Sequence, residues 1–242
     1  MDEGHGKTGL LIVSGGNEIR VGAHRGMALL AARLAASGTP VFRYDRRGIG
    51  DSTGENTSFE HSAEDMIAAV TTFRAEAPHL NRIVGFGNCD AATALALFHQ
   101  QAGIDALVLA NPWTIDQTED LPPTAAIRAR YVERLKNPDT YQRLLRGKID
   151  FGKLLKGLSK ISSTRSQNED GLAARLKRAL VIVNKPVHII IAKGDATAIA
   201  FTASGAGASL IAQTDTLDSA SHSFAGAADK AALETILRTA LD

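Results

Sequence analysis

The sequence contains a single cysteine, Cys89, among its 242 residues. A lone cysteine cannot form an intramolecular disulfide, so nothing in the sequence calls for an oxidising compartment. The charges nearly cancel, with 27 Lys and Arg against 26 Asp and Glu, and so provide no net field that would attract nucleic acid or an anionic membrane surface. No apolar run approaches the roughly 20 residues that a membrane-spanning helix needs, and residues 1–5 lack the features of a signal peptide. We therefore expect a cytoplasmic protein that neither binds nucleic acid nor inserts into a membrane.

The first 110 residues alternate short apolar runs with segments of helical periodicity. Strands are predicted at residues 10–13, 40–45, 82–86 and 106–110. Helices are predicted between them, at residues 24–36, 58–75 and 90–101, with Ser58 as the N-cap of the second helix. Short buried strands that alternate with amphipathic helices indicate a parallel sheet covered on both faces.

Residues 112–184 have a different character. They hold no strand-like run before about residue 181, and the predicted helices are 124–135, 140–145 and 172–180. Lys and Arg outnumber Asp and Glu there by 14 to 8. The alternation resumes at 187–191, with a further segment at 203–211, a weak strand at 214–217 and a last helix at 227–240. The pattern predicts an α/β core of residues 1–111 and 185–242, interrupted by a helical cap insertion of residues 112–184.

The strongest chemical signal surrounds Cys89, in the stretch Gly85-Phe86-Gly87-Asn88-Cys89-Asp90-Ala91. This stretch joins a predicted strand to a predicted helix. A nucleophile on such a turn needs small residues two positions before and after it, and Gly87 and Ala91 meet that requirement. The helix start directs unpaired N–H groups at the sulfur and favours thiolate over thiol, while the Asp90 N–H would stabilise an oxyanion. The alternative interpretation of Cys89 is a small buried residue of the core.

A general base and an acidic partner are expected after late strands, in the chain order nucleophile, acid, base. His222 lies in a loop between the last predicted strand and the last helix, where it would reach Cys89; the alternative is a solvated loop histidine. Asp195 follows the predicted strand 187–191, at the strand end that faces the ligand crevice of an open parallel sheet. Asp218, close to His222 in sequence, is the competing acid.

The second oxyanion donor is expected in the loop Ser14-Gly15-Gly16-Asn17. The Asn17 N–H is the first choice and the Gly16 N–H the second, with a simple tight turn as the alternative. The glycine-rich segment 45–54 lacks the Gly-Lys-Ser/Thr ending of a phosphate-binding loop, so it is predicted to be a structural turn beside the site. No metal or organic cofactor is required by these residues.

The turn at Cys89, the Asp45–Ser52 loop, Asp195 and His222 together resemble the α/β-hydrolase superfamily over almost the whole chain. More narrowly, the sequence resembles the exosortase A system-associated hydrolases (type 1), through Gly15-Gly16, residues 20–25, Cys89-Asp90-Ala91-Ala92 and residues 221–224. That resemblance implies a link to bacterial exopolysaccharide and protein-sorting loci. The sequence also resembles the dienelactone hydrolases in having a cysteine in place of the usual serine. The antiparallel strands that usually open the fold are not apparent before the first predicted strand.

The sequence therefore predicts an ester or thioester hydrolase that uses a Cys89–His222–Asp195 triad and an acyl-enzyme intermediate, without a cofactor. The basic insertion suggests an anionic acyl carrier, such as coenzyme A or an acidic acyl carrier protein; the alternative is that its Lys and Arg form a solvated helix surface. Two further functions stay open: an acyltransferase that uses the same acyl-enzyme, and a non-catalytic binding protein on a hydrolase fold.

Overall fold

The computed structural model describes residues 1–116, 171–208 and 212–242. Within these ranges one six-stranded sheet contains β1 Thr8–Val13, β2 Val41–Tyr44, β3 Arg82–Asn88, β4 Ala106–Ala110, β5 Val187–Ala192 and β6 Gln213–Leu217. The strand order is β2-β1-β3-β4-β5-β6, and every neighbouring pair is parallel. The predicted parallel sheet is confirmed. In the described part of the chain, antiparallel pairing is limited to a bridge between Asp2 and Val41.

The described helices are α1 Gly26–Ala36, α2 Ala63–Glu76, α3 Asp90–Ala102, α4 Leu172–Ile182, α5 Ala196–Ser204 and α6 Ala227–Leu241. Short 3-10 turns at Ala23–Arg25 and Phe59–His61 precede α1 and α2. Ser58 caps the second of these turns and not α2 itself, because its hydroxyl accepts a hydrogen bond from the Glu60 N–H. None of the helices in these ranges has the length and apolar character needed to span a membrane.

Alternate residues of a strand face opposite sides of the sheet, and the central strands β1, β3, β4 and β5 are apolar on both sides because helices cover both. In β1, Leu10 and Ile12 pack with α1 and α6, whereas Leu11 and Val13 pack with α2, α3 and α4. All four side chains are at most 2% exposed. Full burial of each such side chain stabilises the fold by about 1.5–3 kcal/mol, and this burial holds the sheet between its two helical layers.

The structure differs from the sequence prediction around residues 203–211, and part of the prediction concerns residues that the structure does not describe. In the segment predicted at 203–211, residues 203 and 204 form the end of α5, which spans Ala196–Ser204 and is stopped by Gly205 with its φ of 67°, and residues 209–211 lie outside the described residues. Small residues disguised this helix, because they carry little apolar periodicity. The helix predicted at 172–180 is α4. The helices predicted at 124–135 and 140–145, and with them most of the predicted cap, lie outside the described residues.

The packing of β1 against α2 yields a stability test at Gly9. A Cβ at this position would lie 2.6 Å from the Phe73 ring and 2.9 Å from Leu80 Cδ1, and Phe73 is fully buried and stacked on Phe42. We expect Gly9→Ala to lower the free energy of unfolding by about 1–3 kcal/mol through overpacking, measured by urea denaturation with circular dichroism.

Gly26→Ala is the matched control for this substitution. Gly26 opens α1 with a helical φ of −58°, and apart from its chain neighbours and the backbone of α1, no atom of the described residues lies within 4 Å of its would-be Cβ. The control is expected to leave the free energy of unfolding unchanged or to raise it by up to about 1 kcal/mol. Equal free energies for the two variants would contradict this account of the packing.

Candidate active site

Cys89 occupies a strained turn between β3 and α3. Its φ of 62° and ψ of −126° are rare for a residue with a side chain. A Cβ on Gly87 would lie 2.7 Å from the Ala91 carbonyl carbon, so the turn requires glycine at this position. The Cys89 N–H donates to the Ala110 carbonyl at 3.0 Å, and its carbonyl accepts from the Trp113 N–H at 3.2 Å. These contacts hold the residue at the carboxyl edge of the sheet, in the backbone geometry of a nucleophile elbow.

Asp195 and His222 meet at the same edge of the sheet. His222 Nδ1 lies 2.9 Å from Asp195 Oδ2. The other carboxylate oxygen, Oδ1, accepts hydrogen bonds from the Thr197 and Ala198 N–H groups at 2.9 and 3.1 Å, and so caps α5. Burial alone would raise the pKa of Asp195, but hydrogen bonding and charge interaction with His222 and the two backbone donors lower it. The carboxylate is therefore held ionised and oriented toward the imidazole.

The imidazole of His222 is surrounded by groups that favour its protonated form. Hydrogen bonding to Asp195 and to Cys89, together with their charges, raises its pKa from 6.5 to about 10 despite burial. Since the folded-state value is the higher one, this interaction stabilises the fold below pH 6.5 and is lost as the pH rises through about 10. The His222 side chain is 46% exposed, so solvent weakens the effect on stability. At neutral pH the arrangement therefore favours the protonated imidazole.

The competing acid, Asp218, is exposed just beyond the end of β6. Within the described residues no hydrogen bond joins it to His222, whose Nδ1 pairs with Asp195. The geometry therefore brings Asp195, and not Asp218, to the imidazole.

Two asparagines that the sequence reasoning missed tie the histidine loop to the sheet. Asn88 Nδ2 donates to the His222 carbonyl at 2.9 Å, and Asn111 Nδ2 donates to Asn88 Oδ1 at 3.1 Å. Asn111 is fully buried, and its Oδ1 accepts from the Ala192 N–H at 2.9 Å. The sequence signal that could have revealed them was their position: Asn88 directly precedes Cys89, and Asn111 directly follows the apolar strand β4. Together they link β3, β4 and β5 to the base.

The two candidate oxyanion donors in the first loop differ in availability. The Gly16 N–H donates to Asp90 Oδ1 at 2.7 Å, so this donor is already engaged. The Asn17 N–H makes no hydrogen bond within the described residues, and the Asn17 side chain accepts from Asn56 Nδ2 at 3.0 Å. The Asp90 N–H, at the first position of α3, has no acceptor within its own helix. Asn17 and Asp90 are therefore better suited than Gly16 to bind an oxyanion.

Cys89 borders two cavities. The larger, of about 430 Å³, also contacts Gly16, Asn17, Arg46, Phe59, Asp90 and Trp113. The smaller, of about 150 Å³, contains His222 together with Ser14, Glu18, Met27 and Phe224. No cluster of three or more metal-ligating side chains occurs among the residues that the structure describes.

The loop after β2, predicted as a structural turn, also contributes to the larger cavity. Asp45 organises the turn by accepting hydrogen bonds from the Arg20 N–H at 2.5 Å and the Asp51 N–H at 3.3 Å. Arg46 is only 4% exposed, and its Nη2 donates to the Gly16 carbonyl. The sequence reasoning missed Arg46 because its contacts are with residues remote in the chain.

Comparison with solved structures places this architecture among the α/β-hydrolases. An esterase from Pyrococcus furiosus is 19% identical, with a TM-score of 0.60 over 100% of this chain and 86% of the other. An α/β-hydrolase from Sphaerobacter thermophilus is 19% identical, with a TM-score of 0.58 over 99% and 94%. A thioesterase domain from the curacin biosynthetic pathway is 16% identical, with a TM-score of 0.52 over 96% and 90%.

Sequence comparison gives a family assignment. Curated protein sequences include no significant match to the chain. Residues 5–171 match the family model described as serine aminopeptidase, S33, a group of hydrolases. This match covers more than half of the chain and includes β1 to β4 and the turn at Cys89. The protein therefore belongs to the serine aminopeptidase S33 family of hydrolases, and it carries a cysteine at the strand-to-helix turn of the α/β-hydrolase fold.

Proposed function

We propose that this hydrolase cleaves an ester or thioester through an acyl-enzyme formed on Cys89. The observation that carries the proposal is the 2.9 Å contact between Asp195 Oδ2 and His222 Nδ1 at the carboxyl edge of the sheet, with His222 and Cys89 lining the same cavity. A nucleophile, a base and a residue that orients the base are the minimum set for covalent acyl transfer. The strained backbone of Cys89 adds support, since this turn exposes a nucleophile.

The first half of the reaction consumes the thiolate. Cys89 Sγ attacks the carbonyl carbon and forms a C–S bond, while the N–H groups of Asp90 and Asn17 bind the oxyanion. The bond to the leaving oxygen or sulfur then breaks, and the His222 imidazolium gives its proton to the departing group. An acyl-enzyme and a neutral imidazole remain.

The second half restores the enzyme. Neutral His222 takes a proton from water as the water oxygen attacks the acyl carbon. Collapse of this intermediate breaks the C–S bond, releases the carboxylic acid and returns Cys89 to a thiolate beside the imidazolium. Asp195 stays ionised throughout and holds the ring in place.

We further propose that the acyl group arrives on coenzyme A or an acidic acyl carrier protein, in the cytoplasm, and that the reaction serves exosortase-linked exopolysaccharide metabolism. The basic composition of residues 112–184 supports an anionic carrier. The resemblance of residues 20–25, 89–92 and 221–224 to the exosortase-associated hydrolases supports the metabolic setting. The fold that the chain shares with a thioesterase domain supports thioesters as the first substrates to test.

The proposal predicts a covalent adduct on Cys89. Activated esters and N-acetylcysteamine thioesters are expected to add one acyl mass to the intact protein, and peptide mapping is expected to place that mass on Cys89. His222→Ala is expected to lower kcat/KM by about 10²–10⁴-fold, because the leaving group and water lose their proton donor and acceptor.

Cys89→Ser serves as the control, since it removes the sulfur with little change in shape. An adduct that forms equally fast in Cys89→Ser, or that maps to another residue, would reject the nucleophile. Product analysis with alcohol or sugar acceptors decides between hydrolysis and acyl transfer.

The raised pKa of His222 predicts how thiol reactivity depends on pH. In the native protein the imidazolium, with a pKa of about 10, is expected to maintain rapid alkylation of Cys89 by iodoacetamide at pH 6. His222→Ala is expected to slow this reaction at least tenfold at pH 6, since a cysteine without a cationic neighbour ionises only near about pH 8.5. The two rates are expected to converge near pH 10, and a constant ratio from pH 6 to 10 would contradict the pairing.

Asn88 is predicted to act as a positioning residue for the base. Asn88→Ala removes the 2.9 Å hydrogen bond to the His222 carbonyl and is expected to lower kcat by roughly 10- to 100-fold with little change in KM, because the imidazole is misplaced. Asn56→Ala, which loses a side-chain contact with Asn17 on the oxyanion loop, is the comparison. We expect only Asn88→Ala to change how the rate of Cys89 alkylation by iodoacetamide depends on pH below neutrality. The same dependence on pH in the two variants would argue against the positioning role.

A further inference from the structure

Arg46 carries a buried charge that nearby residues balance only in part. Its side chain is 5% exposed, and its Nη2 lies 3.7 Å from Asp90 Oδ2, beyond hydrogen-bond distance. Its Nε is buried and has no hydrogen-bond partner among the described residues. A buried donor without an acceptor is costly, and a buried charge more so. This arrangement leaves Arg46 suited to accept a further anion.

The neighbouring arginines are paired much more completely. Arg47 Nη2 contacts Glu64 at 2.9 Å and Asp65 at 3.0 Å. Arg20 bonds to both Asp45 and Asp51. Arg46 Nη2 donates to the neutral Gly16 carbonyl. Among the described residues, the one carboxylate within 4 Å of its guanidinium is Asp90, whose other oxygen accepts from the Gly16 N–H. The partial pairing is therefore a property of position 46 and not of the loop as a whole.

The place of Arg46 relative to Cys89 indicates which part of a substrate would meet it. Arg46 and Cys89 line the 430 Å³ cavity, whose walls include Phe59 and Trp113. His222, which would protonate the leaving group, lines the smaller cavity on the other side of Cys89, together with Glu18. The leaving group thus belongs on the His222 side, and the acyl chain belongs in the larger cavity.

We propose that Arg46 is a specificity-determining residue that binds a carboxylate on the acyl chain, so that the preferred substrates are monothioesters or monoesters of short dicarboxylic acids. The aromatic walls would contact the methylene groups, and the guanidinium would hold the distal carboxylate by charge-assisted hydrogen bonds. This inference rests on the proposed function, because it takes Cys89 as the nucleophile.

The test compares glutaryl and valeryl thioesters of N-acetylcysteamine, which share a leaving group and a five-carbon acyl chain. The native enzyme is expected to favour the glutaryl substrate in kcat/KM. Arg46→Met is expected to reduce this preference by about 10- to 100-fold, mainly through the glutaryl substrate. Arg46→Lys is expected to keep part of the preference, and Arg47→Met, which alters an arginine outside this cavity, all of it.

Two results would overturn the proposal. One is a native enzyme that does not favour the glutaryl thioester. The other is an Arg46→Met enzyme that loses activity equally on both substrates, which would mean that Arg46 only positions the loop at Gly16. Circular dichroism verifies folding, and Arg46→Lys provides the answer if Arg46→Met does not fold.

A binding measurement separates this proposal from the proposed function. Glutarate and valerate are titrated by calorimetry into Cys89→Ala, and into Cys89→Ala combined with Arg46→Lys or Arg46→Met. Glutarate binding that falls at least tenfold with the Arg46 changes supports the anion site even if neither thioester is turned over, a case in which only the proposed function fails. Turnover of both thioesters with glutarate binding indifferent to Arg46 leaves the proposed function intact and rejects the anion site.

Discussion

The backbone of Cys89 is the constraint from which the rest of the site follows. A non-glycine residue at a φ of 62° is tolerated here because Gly87 allows β3 and α3 to approach within van der Waals contact. The tight reversal places three successive side chains in different directions. Asn88 reaches the His222 carbonyl, Asp90 reaches the Gly16 N–H, and Cys89 borders both cavities. One strained turn therefore positions the sulfur and also ties the loop of His222 and the loop of Gly16 to it.

The electrostatics of the site favour a protonated His222. Asp195 is fixed by the two N–H groups of its own helix, so its free oxygen cannot turn away from His222. That fixed charge and the neighbouring sulfur keep the imidazole protonated at neutral pH. An imidazolium is a proton donor and not a base. Under the proposed mechanism, His222 therefore acts first as an acid, and it becomes a base only after the leaving group has taken its proton.

Much of this architecture follows from local sequence signals, and the remainder depends on contacts between distant loops. Apolar runs predicted the parallel strands, and the small residues around Cys89 predicted the turn. The ties made by Asn88 and Asn111, and the burial of Arg46, left no local trace because their partners are remote in the chain. Helix α5 was missed for a different reason: its alanines and threonines give no clear apolar period. The sequence offered the Gly16 N–H as a second candidate oxyanion donor, but it could not reveal that this N–H donates a hydrogen bond to Asp90.

The loop after β2 explains why an incompletely paired positive charge lies in the cavity that Cys89 borders. Asp45 is the carboxylate closest to Arg46 in sequence, but its two oxygens accept hydrogen bonds from Arg20 and from the Asp51 N–H. Asp90 is divided between Gly16 and a 3.7 Å contact with Arg46. A buried guanidinium with so little compensation is unfavourable in isolation. Under our proposal, a second anion that enters the cavity offsets this cost, so an anionic acyl chain is expected to bind more favourably than a neutral one.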